Sequence, residues 1–155
     1  KKYFSNSATF QGAYGTEIID INGDGLFDVG MFGHENRESS KPHKTMILVN
    51  AGSNTFSTDN KLVVPAVKGW GTVHDMFVEG DNLFVLRTSS PKRNRGNLIQ
   101  QVNINTMKTV ATIKNNKMNW YSRIFRKSGG KFGSLMNTSN DIDFRLVNGK
   151  IALAN

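Results

Sequence analysis

Two segments of this chain repeat one another, and together they narrow the folds open to it. "YGTEIIDINGDGLFDV" runs from Tyr14 to Val29, and "WGTVHDMFVEGDNLFV" from Trp70 to Val85. Each passes from aromatic-Gly-Thr through a strand-like run to a Gly-Asp turn and then Leu-Phe. One extra residue enters the second copy before its turn. A weaker third copy, "DIDFRLVNGKIALA", spans Asp141 to Ala154, with Asn148-Gly149 at the turn. Recurrence at long intervals marks stacked units, and the turn glycines Gly23, Gly80 and Gly149 are spaced as in propeller blades with long outer loops.

The intervening sequence reads as short strands. "LFDVGMFG", "KTMILVN", "NLFVLRT", "NLIQQVNI" and "KTVATI" are apolar runs, separated by the polar loops "HENRESSKPH" and "SSPKRNRG" and by Gly- or Asn-rich turns such as "AGSN" and "NTM". No stretch sustains a helical period. "NNKMNWYSRIFRKSGG" is the one place for a short helix, with Trp120, Ile124 and Phe125 on one face; an irregular strand fits it equally. The expected fold is all-β: a partial β-propeller of two to three four-stranded antiparallel blades, with units at about 14–69, 70–136 and an incomplete 137–155. A four-stranded sheet cannot bury both faces alone, so units must stack. A complete propeller takes at least about four blades. The chain is therefore expected to need further blades or another chain, and a small β-sandwich is the competing architecture.

Composition sets outer limits. The 155 residues suffice for a core, and 37% are hydrophobic. The absence of cysteine excludes disulfides, thiolate catalysis and Cys-ligated zinc. No apolar run reaches membrane-spanning length. The opening "KKYFSNSATF" has neither a start Met nor an apolar signal core, and reads as a mature protein or an excised fragment. A net charge of +8 admits an anionic partner, or simply a soluble basic surface.

The first turn is chemically distinctive. In "DINGDGLFD", Asp20, Asn22, Asp24 and Asp28 fall at the first, third, fifth and ninth positions, with Gly25 at the sixth. Alternate side chains converge when a backbone curls about a point, and the Leu26 carbonyl can add one more oxygen. An all-oxygen, flexible ring suits Ca²⁺, whereas Mg²⁺ demands a tighter octahedron. The lack of His and Cys argues against zinc or copper. Three carboxylates in one loop repel each other without a cation. A solvated Asn-Gly/Asp-Gly turn is the plain alternative. The flanks are not helical, and no Glu stands where an EF-hand would place one.

"DINGDGLFDVGMF", followed by "ILVNAGSNTFS", resembles one FG-GAP/VCBS-type repeat, a calcium-loop motif of β-propeller blades. Leu48, Asn50, Gly52 and Phe56 supply the hairpin half of the motif, and Asn54 replaces its last glycine. The resemblance covers about Gly15 to Ser57 and implies Asp20, Asn22, Asp24, Asp28 and the Leu26 carbonyl as Ca²⁺ ligands. In the second copy Phe77 replaces Asp20 and Val85 replaces Asp28; the third turn offers Asn148 and Lys150. One calcium site is therefore expected.

Other chemistry is sparse. His74 and Asp75 are adjacent on a strand and so point to opposite faces. His34 and Glu35 close a strand at a loop, where active groups often sit, but nothing completes a nucleophile–base set. Lys92, Arg93 and Arg95 in "PKRNR", with Arg123, Arg126 and Lys127 in "YSRIFRKSGGK", are candidate ligand-binding residues: Arg forks grip anionic groups, and Tyr121 and Phe125 could stack on sugars or bases. Two solvated loops are the plainer reading. Trp70, Trp120, Tyr14 and Tyr121 are expected mainly between blades.

The expected function is a calcium-stabilised binding module of a secreted or cell-surface protein, recognising a glycan or a protein, with no membrane span and no catalytic residue. An anionic polymer is a further candidate partner. An accessory portion of a secreted polysaccharide-acting enzyme is the alternative.

Overall fold

A computed structural model describes residues 4–5, 13–35, 44–89, 96–115, 122–136 and 142–154. Among these residues the fold is all-β, without an α-helix. A short parallel pair joins β1 (Phe4–Ser5) to β5 (Phe56–Ser57). Everything else falls into three four-stranded antiparallel sheets. The first is β2 (Ala13–Ile19), β3 (Asp28–Gly33), β4 (Met46–Leu48) and β6 (Lys61–Val63). The second is β7 (Thr72–Glu79), β8 (Asn82–Thr88), β9 (Asn97–Asn103) and β10 (Lys108–Asn115). The third is β11 (Ser122–Arg126), β12 (Lys131–Met136), β13 (Ile142–Val147) and β14 (Lys150–Leu153). Within each sheet the strands follow chain order.

The second sheet lies between the other two, which explains its composition. "LFVLR" on β8 does not alternate apolar with polar, because both of its faces are buried. Leu83 and Val85 join Ile19, Phe32 and Ile47 in a core against the first sheet. Phe84 and Leu86, pointing the other way, join Ile124, Phe132 and Phe144 in a core against the third. Phe84 meets the Phe144 ring edge-on at 5.3 Å and the Phe132 ring at 5.1 Å. Such pairs add about 0.5–1.5 kcal/mol each beyond area burial.

The first two sheets share a detail beyond strand order. In both, one extra residue bulges from the first strand, between Ala13 and Gly15 and between Val73 and Asp75. Beyond the bulge, Gly15 to Ile19 pair with Phe32 to Asp28, as Asp75 to Glu79 pair with Leu86 to Asn82. The ladder thus equates Asp28 with Asn82, not Val85, and Asp20 with Gly80, not Phe77. Gly15 has a packing reason to lack a side chain, since a Cβ there would stand 2.2 Å from the Phe32 ring.

Two sequence readings shift. The hairpin "DIDFRLVNGKIALA" does not open a new unit; it forms the third and fourth strands of a sheet whose first hairpin is β11–β12. Residues 122–136 therefore belong with the third sheet, not the second. The candidate helix is β11 over its described part, with Ile124 buried in the inter-sheet core while neighbouring Arg123 is exposed. Residues 116–121, including Trp120 and Tyr121, lie outside the described residues, as do the side chains of Tyr14 and His43.

Candidate metal centre

The loop at residues 20–27 bridges Ile19 and Asp28, which are paired at its base. Two glycines allow its curl: Gly23 has φ +71° and Gly25 φ +82°, left-handed values that favour glycine. Its acidic side chains fold back on its own amides. Asp20 accepts N–H groups from Gly23 at 2.7 Å and Gly25 at 3.0 Å, one on each oxygen. Asp24 accepts the Leu26 N–H at 2.8 Å on Oδ1, and the Asn22 side-chain amide at 2.8 Å on Oδ2. The Asn22 oxygen accepts the Asp24 N–H at 3.2 Å.

Asp28 differs in kind. It is wholly buried, and its two oxygens accept backbone N–H groups from both sides: Ile21 at 2.8 Å and Asn50 at 2.8 Å. Asn50 is itself buried. Its side-chain amide donates to the Phe27 carbonyl at 3.0 Å, and its side-chain oxygen accepts from Gly52 N–H at 3.0 Å. Gly52, φ +92°, begins a turn closed by the Thr55 N–H donating to its carbonyl. Asp28 and Asn50 thereby clamp the acidic loop to the β4–β6 connection, so the two segments form one unit.

The donor set suits a hard cation: every side-chain donor in the loop is oxygen, and each oxygen of Asp20 and Asp24 accepts one N–H, leaving a lone pair. Among the described residues, no three His, Asp or Glu side chains converge as a metal-holding group in this conformation.

The candidate ligand-binding residues are only partly placed. Lys92, Arg93 and Arg95 lie outside the described residues. Arg123 reaches Glu17 of β2 at 3.1 Å and Asp75 of β7 at 3.5 Å. Arg126 pairs with Glu79, and Lys127 with Asp143 at 2.7 Å. Each of these three cations is thus matched by a carboxylate, and two of them tie neighbouring sheets.

Three buried polar groups turn out to be inter-sheet fastenings: Arg87 and Gln101, which the sequence reading did not single out, and Asp75, which it read only as a neighbour of His74. Arg87 is fully buried, and all five of its N–H donors are used: by Glu35 at 2.7 and 3.1 Å, the carbonyls of Trp70 and Pro65, and Gln100 at 2.7 Å. Glu35 is therefore a buried structural partner, not a free loop acid. Gln101 donates to the Gly149 carbonyl at 2.7 Å and accepts the Ile151 N–H at 3.0 Å, joining the second sheet to the third. Asp75 accepts the Ile124 N–H at 2.6 Å on Oδ2, while its buried Oδ1 makes no hydrogen bond. Burial pushes its carboxyl up to about 6, with Glu17 adding to the shift and the Ile124 N–H and Arg123 opposing it. His74 faces Thr88 at 2.8 Å, and burial, then the nearby His34, lowers its pKa to about 4. A lone Arg inside "LFVLRT", and "QQ" inside an apolar strand, were the signals available in the sequence.

No family model matches this chain, and no significant match appears among curated proteins or solved structures. No helix among the described residues is long and apolar enough to cross a membrane.

Proposed function

We propose that this chain is a calcium-stabilised β-propeller segment that serves as a binding module of a secreted or cell-surface protein, with a glycan or protein as its ligand. Three consecutive four-stranded meanders, stacked in chain order, support the propeller reading. The observation that carries the calcium reading is the Asp28–Asn50 clamp, which makes the acidic loop and the following hairpin one built unit.

Asp20, Asn22, Asp24, Asp28 and the Leu26 carbonyl would hold the ion. Bound, Ca²⁺ would supply charge neutralisation and a fixed loop, not a reaction step. The loop's own residues do the positioning: Asp28 fixes the base, and Gly23 and Gly25 permit the curl. The pairing of Arg123, Arg126 and Lys127 with carboxylates weighs against an anionic polymer as ligand for that part of the surface.

The test of the ligand class is a glycan array probed with the whole chain in calcium. Saturable binding to a defined glycan set supports a binding module. Binding that falls steeply with salt supports a polyanion ligand instead.

A further inference from the structure

We propose that the acidic loop removes one of its own side-chain amides: Asn22 cyclises onto the Gly23 nitrogen, with Asp20 as the base, and the ring is then hydrolysed. The Asn-Gly step this needs occurs at Asn22-Gly23 and at Asn148-Gly149. The first is surrounded by the groups such a reaction uses. Gly23 N–H donates to Asp20 Oδ1 at 2.7 Å, so the proton that must leave the nucleophile already lies on a carboxylate. The Asn22 side-chain oxygen accepts the Asp24 N–H at 3.2 Å. That contact folds the side chain back along the following peptides and sets a donor where negative charge develops on the attacked amide. The departing nitrogen donates to Asp24 Oδ2 at 2.8 Å and is exposed. A Cβ at Gly23 would meet nothing within 4 Å, so ring and water both have room. Asn148 instead sits in a hairpin turn, and among the described residues no carboxylate accepts the Gly149 N–H.

The step needs no co-reactant beyond water. Asp20 takes the Gly23 proton, the nitrogen bonds to Asn22 Cγ, and the Cγ–Nδ2 bond breaks. The proton returns through solvent to the departing nitrogen, which leaves as ammonia. Water then opens the cyclic imide at either carbonyl. One opening gives aspartate at position 22; the other gives isoaspartate, whose backbone runs through the side chain and draws Gly23 away from Asp20. Asp24-Gly25 has matching contacts, since Asp20 also accepts the Gly25 N–H, but an ionised carboxylate is a far poorer electrophile than an amide. One consequence rests on the calcium reading: the aspartate product adds a fourth carboxylate to the ring of Asp20, Asp24 and Asp28.

The whole chain is kept at neutral pH in excess chelator, so that the outcome is independent of the calcium reading. Peptide mapping by mass spectrometry then reads amide loss at residues 22 and 148 separately. A positioned base with a matched pKa contributes about 10²–10⁴, and a carboxylate at neutral pH is weaker than that match, so Asn22 should react about tenfold faster than Asn148. Asp20→Asn removes the base and should bring Asn22 down to the Asn148 rate, with residue 148 unchanged. A purely structural role for Asp20 gives the opposite sign, because a loosened loop cyclises more readily. Unfolding the wild type in urea should likewise slow Asn22, which keeps the test decisive if the variant fails to fold. Asn22 reacting no faster than Asn148, a folded variant that reacts as fast as the wild type, or an unfolded chain that loses the Asn22 amide faster than the folded one would overturn the proposal.

Discussion

The backbone N–H of Asn50 donates to Oδ1 of Asp28 at 2.8 Å, joining the end of β4 to the base of the acidic loop. The other Asp28 oxygen holds Ile21 N–H at the loop's entry, so one buried carboxylate fixes three points of the chain. Asp28→Ala leaves two buried donors without partners and should destabilise the fold by about 2–4 kcal/mol. Asp28→Asn keeps one acceptor and should cost less. Urea denaturation of the two variants checks the order; equal losses would mean that the hydrogen bonds are not what matters at this site.

Breaking the Arg87–Glu35 pair should be costly for a different reason. Arg87→Met alone strands a buried carboxylate, and the expected loss is about 3–5 kcal/mol. Combining Arg87→Met with Glu35→Leu removes both charges and should recover much of that loss. The Pro65 and Trp70 carbonyls, which Arg87 also serves, limit the recovery. A double-mutant cycle measures the coupling.

Asp75 and His74 predict opposite responses to acid. The folded pKa of Asp75, about 6, lies above its ordinary 3.8, so the folded state binds the proton more tightly. Its destabilising effect is complete above about pH 6 and vanishes below about pH 4. His74 has a folded pKa of about 4, below its ordinary 6.5, so its contribution is lost as pH falls from 6.5 towards 4. Asp75→Asn removes the compensating gain, and its stability should fall more steeply on acidification than the wild type's. His74→Gln should fall less steeply. Chemical denaturation at a series of pH values reads both slopes.

Arg126 is matched by Glu79, so Arg126→Ala should barely change the salt dependence of binding to an anionic polymer such as heparin. Glu79→Gln, which frees the guanidinium, should strengthen binding and steepen the slope by about one unit. A salt titration of heparin affinity distinguishes the two variants.

The strand content was legible because short apolar runs separated by turn residues dominate the chain, and because nothing sustains a helical period. The stacking was expected because a four-stranded sheet cannot bury both faces alone, and the structure shows it in "NLFVLRT", whose side chains enter a core on each face. The phase of the third unit was not legible. Its Asn-Gly turn mimics the earlier turns, but Asn148 and Gly149 close the last hairpin of the sheet, with positive φ at both residues. The residue equivalence between the first two units also shifted, since the bulges at Tyr14 and His74 and the unequal turns cannot be seen in a linear comparison. Asp20, Asn22, Asp24 and Asp28 stood out by spacing alone. The burial of Asp28, and the use of Arg87, Gln101 and Asp75 as inter-sheet fastenings, depend on contacts between residues distant in sequence, which local pattern does not encode.

On the proposed reading, the loop from Asp20 to Asp28 holds a calcium ion that steadies the corner of the first sheet. The most direct test is the melting temperature in millimolar calcium against excess chelator, for the wild type and for Asp24→Ala. A site filled to about a hundred times its dissociation constant adds about 2.7 kcal/mol, a rise of about 5–10 °C for a chain of this length. The wild type should show that rise and Asp24→Ala should not. Identical wild-type melting curves in calcium and in chelator would contradict the account.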